Sequence, residues 1–221
     1  GLVGSEMCIR DSAYIAQERL PAQGFGHHLL RDLAEDACFQ LVEQVVGEIA
    51  RVWQYNDAFA PDGELALDGQ ISNWVRREKG QDGMLVYIDT STPLLRLGGV
   101  EQLDPEPLLK SAPAYLRWIL KWLFMDDVMN RYYDHRQVLI DIAANFYKEQ
   151  RPELIPGAVD IFNSKLLGGE EPLTSRDVEK YYREDKMIWR LFLAFRQADR
   201  FFTTQLLRRR YEFILPGKIT R

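Results

Sequence analysis

Between His27 and Tyr55 apolar residues return every three or four positions, as Leu30, Leu33, Ala37, Leu41, Val45, Ile49, Val52 and Trp53. No other feature constrains the fold as tightly, because a stripe with that period buries one side of a helix. The spacing predicts a long helix, with Ala34 as the place where it can break and the loop-like segment Asn56 to Gly63 as its end. Such a helix needs partners, and the rest of the chain supplies them. Helical periodicity recurs near Asp126 to Gln150, over Pro152 to Leu167 and over Thr174 to about Arg208, the last opened by the capping pattern Thr174-x-x-Asp177. Asp104 followed by Pro105, and Ser111 with Pro113, mark further helix starts. The expected fold class is therefore mainly α.

One stretch breaks the helical period. From Leu65 to Asp89 the residues suit a loop, a short strand near Asn73-Trp74-Val75, a polar turn through Gly80 and Asp82-Gly83, and a second strand Met84 to Ile88. A small β-hairpin between helices is the expectation. Ala13 to Leu20 reads as a further strand running into a connector at Pro21.

Composition narrows the function classes. At 221 residues and 46% hydrophobic content the chain can bury one sizeable core. A formal charge of −5 is too mild for a protein that coats nucleic acid, and Arg208-Arg209-Arg210 alone makes no nucleic-acid footprint. Two cysteines, Cys8 and Cys38, build neither a disulfide framework nor a metal knuckle, so a reducing, cytoplasmic setting is expected. The most apolar run, Trp118 to Phe124, carries Lys121 and is far shorter than the roughly 20 residues of a membrane span; it is read as a core helix, and no membrane partner is expected. The oligomeric state is left open. Residues 1–12 lack the apolar region of a leader. They resemble a translated sequencing adaptor of the kind found fused to reading frames from environmental DNA, and are set aside.

The chemistry concentrates around the hairpin. Asp68-Gly-Gln-Ile-Ser-Asn73 precedes its first strand, and Asp89 closes its second in Tyr87-Ile88-Asp89-Thr90. An Asp and an Asn five positions apart, then an Asp at the end of the next strand, is the order that phosphoryl transfer uses. The first carboxylate orients an attacking hydroxyl. The amide oxygen and the second carboxylate offer oxygen ligands of the kind magnesium takes.

These motifs resemble those of the protein-kinase-like small-molecule phosphotransferases, the aminoglycoside, choline and homoserine kinase type. The flavour of Asp68-Gly69-Gln70 and Asp89-Thr-Ser-Thr-Pro93 is also similar to an uncharacterised bacterial family with this fold. The order of segments, strand, long helix, catalytic loop, hairpin and further helices, covers most of the chain. The resemblance implies residues 13–26 as the last strand and hinge of a nucleotide-covering lobe, and 27–221 as the helical C-terminal lobe. It implies ATP and magnesium as cofactors and a small hydroxylated molecule as acceptor. Asp68 would be the base, Asn73 and Asp89 the metal ligands, and the backbone of Gln17, Glu18 and Arg19 the hinge against adenine. The sequence departs from the family at Ala66, where a His usually stands, and no glycine-rich phosphate loop or strand-borne lysine precedes Ala13, so the chain on its own is not expected to be an efficient enzyme. A non-catalytic kinase-like binding or scaffold module is the alternative.

Other residues carry plainer readings. Asp62 and Asp82 precede Gly and are turn formers. His27 and His28 are adjacent, share no helix face, and are hinge or cap residues rather than metal ligands. His135 follows Asp134 at a helix boundary, where local hydrogen bonding accounts for it. Asp141, Asn145 and Lys148 give one helix a polar face, on which Asp141 and Asn145 are the candidates to face an acceptor. The aromatics Tyr181, Tyr182, Trp189, Phe192, Phe195, Phe201 and Phe202 are expected in the core.

Overall fold

Cys38, Leu41, Val42, Val45, Val46 and Ile49 have no exposed surface and Trp53 almost none, so the stripe read from the sequence is the inner face of one helix. The computed structural model describes residues 18–59, 62–77, 83–89, 94–104 and 125–211, with only the backbone of 125–128. The fold is mainly helical, with small antiparallel sheets.

The break expected near Ala34 divides the first helical run into α1, Gly26–Asp32, and α2, Glu35–Phe59. Leu33 between them is extended, with φ −77° and ψ 152°. The carbonyls orphaned at the end of α1 are taken up from far along the chain. Arg151 Nη1 donates to the carbonyls of Leu30, Arg31 and Leu33 at 3.3, 3.2 and 3.0 Å, and the Cys38 thiol points at the Leu30 carbonyl at 3.3 Å. Arg151→Ala is expected to lower unfolding free energy by about 1–3 kcal/mol in urea titration. Arg151→Lys should recover only part of the loss, since an ammonium lacks the planar fork. A loss of only a few tenths of a kcal/mol would show that water serves those carbonyls equally well.

The helix does not stop at Asn56 but runs on to Phe59. Asn56 is a lock rather than a breaker: its side-chain amide donates to the Leu65 carbonyl at 2.7 Å and accepts from the Leu65 N–H at 2.8 Å. That pair of bonds ties the helix to β1, Glu64–Ala66. The predicted hairpin is β2, Trp74–Arg77, against β3, Met84–Tyr87, antiparallel with Trp74 opposite Tyr87 and Arg77 opposite Met84. A second sheet was not anticipated. β1 pairs with β4, Leu94–Leu97, which turns at Gly98-Gly99 into β5, Val100–Glu101. The expected helix starts at Pro105, Ser111 and Pro113 and the run Trp118 to Phe124 lie outside the described residues.

The periodic segment Asp126 to Gln150 is two helices, α3, Met125–Tyr133, and α4, His135–Lys148, separated at Asp134. Asp134 caps α4 by accepting from the Gln137 N–H at 3.0 Å. Next to it, His135 is buried, with Nδ1 3.0 Å from Glu170 and its ring 4.9 Å from that of Trp53. A turn at Pro152–Leu154 leads into α5, Ile155–Asn163. α6 spans Ser175–Phe201 and carries the predicted capping box in full, Thr174 and Asp177 each accepting from the other's backbone N–H.

The main core joins α1, α2, α4, α5 and the start of α6, with Leu67, Ile71 and Trp74 from the loop and β2 set into it. A smaller cluster of Leu94, Met129 and Tyr133 joins β4 to α3. The aromatic expectation for α6 holds only in part. Tyr181 and Tyr182 pack on the core, Trp189, Phe192 and Phe195 are half-buried, and Phe201 and Phe202 are exposed.

Candidate functional site

Leu67 and Ile71 are buried while Asp68, between them, is only partly so; two apolar anchors fix the loop and leave the carboxylate at the edge of the core. Gly69 makes this seat possible. A Cβ there would lie 2.7 Å from Val138 and 3.1 Å from Ile142, so the loop lies directly on α4. Val138, Asp141, Ile142 and Asn145 share one face by helical spacing, which brings Asp141 toward the same loop.

Asp68 organises its own turn. Its carboxylate accepts the Gln70 N–H at 3.1 Å, an Asx-type bond that ends the extended run. Its carbonyl accepts the Asn73 side-chain N–H at 3.1 Å and the Tyr87 hydroxyl at 3.2 Å. The loop's two ends and the returning strand therefore meet at one peptide. The hairpin register continues past β3, with the Ile88 N–H donating to the Asn73 carbonyl at 2.9 Å, and this carries Asp89 back beside the start of β2. Since the Asn73 amide nitrogen is committed to Asp68, its oxygen is the atom turned away from that bond.

The electrostatics reports the same convergence. Burial pushes the Asp68 carboxyl up to about 6; Asp141 and Asp89 add to the rise and the Gln70 N–H opposes it. Tyr132 is raised first by burial and then by Asp68, Asp141, Asp89 and Asp185. Tyr87 is raised first by burial and then by Asp89 and Asp68. Two phenols thus feel overlapping sets of carboxylates across three helices and a hairpin. Behind Asp68, Lys148 lies 3.6 Å from Asp141 and 3.5 Å from Asp185, and its side chain is only 11% exposed. Burial raises the Asp141 carboxyl, with Lys148 pulling it back.

Asp68, Asn73 and Asp89 fall within one loop-and-hairpin unit, and Asp89 is near enough to raise the Asp68 carboxyl. Among the described residues no group of three or more His, Cys, Asp and Glu side chains is placed to hold a metal ion, so any cation here would need oxygens from a ligand as well. Asp141 is close by but paired with Lys148. Asn145 does not face a solute: it is buried, and its amide donates to the Asp141 carbonyl at 2.7 Å. Gln17 lies outside the described residues. Glu18 and Arg19 are exposed in irregular chain, with Glu18 ion-paired to Arg77 of β2, and the segment just after them is pressed onto the hairpin, where Phe25 bridges to Val75.

Tyr87, Tyr132 and Asp185 were not read from the sequence as part of this place. Tyr87 had a signal, since it stands opposite Trp74 in a hairpin whose register the turn implies. Tyr132 and Asp185 had none, because their proximity to Asp68 depends on how α3 and α6 pack.

No helix among the described residues is long and apolar enough to cross a membrane. No curated protein and no solved structure matches the chain. One family profile does, over residues 2–200, and with that span covered the chain belongs to DUF6206, a family of unknown function.

Proposed function

We propose that this chain is the catalytic half of an ATP- and magnesium-dependent phosphotransferase of the protein-kinase-like type, acting in the cytoplasm on a small hydroxylated acceptor rather than on nucleic acid. The observation that carries the reading is the Asp68 peptide, held at once by Asn73 from its own loop and by Tyr87 from the returning strand. That closure supports the reading because it holds the loop of Asp68 and Asn73 against the strand that leads to Asp89, the order of groups that phosphoryl transfer uses.

In this reading Asp68 accepts the proton of the attacking hydroxyl, and a carboxyl brought up to about 6 is basic enough to do so while still ionised at neutral pH. Asn73 and Asp89 would hold magnesium, which neutralises charge on the nucleotide phosphates. Two protein oxygens suit that ion, which keeps water and phosphate in the rest of its shell and does not need a cage of protein ligands. The backbone at Glu18 and Arg19 would lie along the adenine. A non-catalytic kinase-like module is the second reading, favoured by Ala66 where the family carries its His.

Thermal-shift titration with magnesium and ATP separates the possibilities. The chain is expected to gain roughly 2–3 kcal/mol at saturating nucleotide, which is a few degrees in Tm. Asp89→Ala should abolish the magnesium-dependent part of that gain. A shift that survives Asp89→Ala would remove the metal assignment, and the absence of any shift would remove the nucleotide. In a protein that also carries a nucleotide-covering lobe, ADP release accompanying the shift favours the enzyme and a shift without turnover favours the binding module.

A further inference from the structure

The end of α6 and the turn that follows it combine two features that neither the core nor the proposed phosphotransferase site uses. Phe201, Phe202, Leu206 and Leu207 are each more than half exposed, a concentration of large apolar side chains that water does not tolerate without a reason. Around them stand Arg200, Arg208, Arg209 and Arg210, all exposed. From residue 200 to 211 there are four arginines and no acidic residue, within a chain whose formal charge is −5.

The backbone shapes this end deliberately. Residues Phe202–Leu206 form a widened helical turn, in which the Leu207 N–H reaches back to the Phe202 carbonyl at 3.0 Å. Arg208 then adopts a positive φ of 53° where the helical run ends, and the three consecutive arginines follow directly on that end. Cations at a helix C-terminus satisfy the dipole, which accounts for the arginines but leaves four apolar side chains in water. An anionic lipid surface accounts for both. Phenylalanine and leucine enter the headgroup boundary while the guanidinium groups pair with lipid phosphates and carboxylates. A nucleic acid would satisfy the charges and leave the leucines exposed, and a second copy of the chain would set arginines against arginines.

We propose that the tip of α6, residues 200–210, is a peripheral docking site for an anionic lipid bilayer, with Phe201, Phe202, Leu206 and Leu207 as the inserted face and Arg200 and Arg208–Arg210 as the headgroup contacts. This departs from the expectation that the chain engages no membrane, which was an argument about spanning. The site rests on exposure and charge and stands apart from the phosphotransferase reading.

The test is co-sedimentation of the full 221-residue chain with vesicles of phosphatidylcholine alone and with about a third phosphatidylserine, at low and high salt. The expected result is partitioning onto the serine-bearing vesicles only, weakened by salt. The triple change Arg208→Gln, Arg209→Gln, Arg210→Gln should weaken it roughly a hundredfold, at about fivefold per arginine. Phe201→Ser with Phe202→Ser should weaken it at least about tenfold. Both sets are at exposed positions, and unchanged far-UV circular dichroism and melting confirm that the fold is kept. Failure of the wild-type chain to sediment overturns the proposal, as does sedimentation that neither variant reduces. So does a dimer in light scattering that the Phe changes dissolve with no lipid binding, or binding to a single-stranded oligonucleotide in place of vesicles.

Discussion

Asp68→Asn is expected to lower magnesium-dependent ATP turnover, read in a protein that also carries a nucleotide-covering lobe, by about 10²–10⁴-fold while making this chain more stable at neutral pH. The two effects have one origin. Asparagine keeps the bond from the Gln70 N–H, because its carbonyl oxygen replaces the carboxylate oxygen that accepts it, but it cannot take a proton from a hydroxyl. It also carries no charge into a partly buried seat that faces Asp89 and Asp141. In the native protein the carboxyl holds its proton up to about pH 6, whereas in the unfolded chain it lets go near the ordinary carboxylate value of 3.8. The native state therefore binds more protons between those two values, and wild-type stability falls as pH rises from about 4 to 6, then levels off. Removing the charge recovers that loss, roughly 3 kcal/mol above pH 6 and nothing below pH 4. In a chain of this size that is about 6–12 °C in Tm at pH 7.5. Melting curves of both proteins across pH 4–8 read the difference directly. A gap that does not grow with pH would show that the carboxylate is well solvated, and unaltered turnover would show that it is not the base.

Gly26→Ala should destabilise the fold by about 3 kcal/mol, a Tm loss of roughly 6–12 °C. α1 begins at Gly26 directly above the candidate loop, so close that a Cβ there would lie 2.2 Å from the Ile71 carbonyl oxygen. The obstacle is backbone on one side and a helix start on the other, and neither yields as the tip of a flexible side chain would. Relief requires moving either α1 or the turn Ile71–Asn73, and moving that turn shifts Asn73 away from the Asp68 carbonyl. The change should therefore weaken nucleotide binding along with stability. Gly47→Ala is the matched comparison. Gly47 lies inside α2 with nothing within 4 Å of the added carbon, so there the alanine should stabilise by about 0.5–1 kcal/mol through helix propensity alone. Equal Tm values for the two variants would mean that α1 does not press on the loop as described.

How much of this was legible beforehand follows from the range of the forces involved. The stripe on α2, the Thr174–Asp177 cap and the Asp134 start of α4 involve bonds and contacts within a few residues, which sequence spacing encodes directly. The β2–β3 hairpin is almost as local, and it takes Asp68, Asn73 and Asp89 with it. The β1–β4 pairing was missed because its partners lie about thirty residues apart and Glu64–Ala66 carries no strand pattern of its own; the Asn56 side chain that secures it looked like a helix breaker. Asn145 was misread because spacing assigns a residue to a helix face without saying whether that face meets water or another helix.

The sequence by itself determined where the helices and the hairpin form, and that an Asp, an Asn and a second Asp accompany that hairpin in order. Tertiary structure alone decided that Asp141 and Asp185 share Lys148 behind Asp68, that the Asp68 carboxyl is shifted, and that Phe201 and Phe202 stay in solvent. Periodicity and capping are local consequences of backbone hydrogen bonding. A carboxyl's proton affinity and a side chain's exposure are set by whatever the rest of the chain packs beside them.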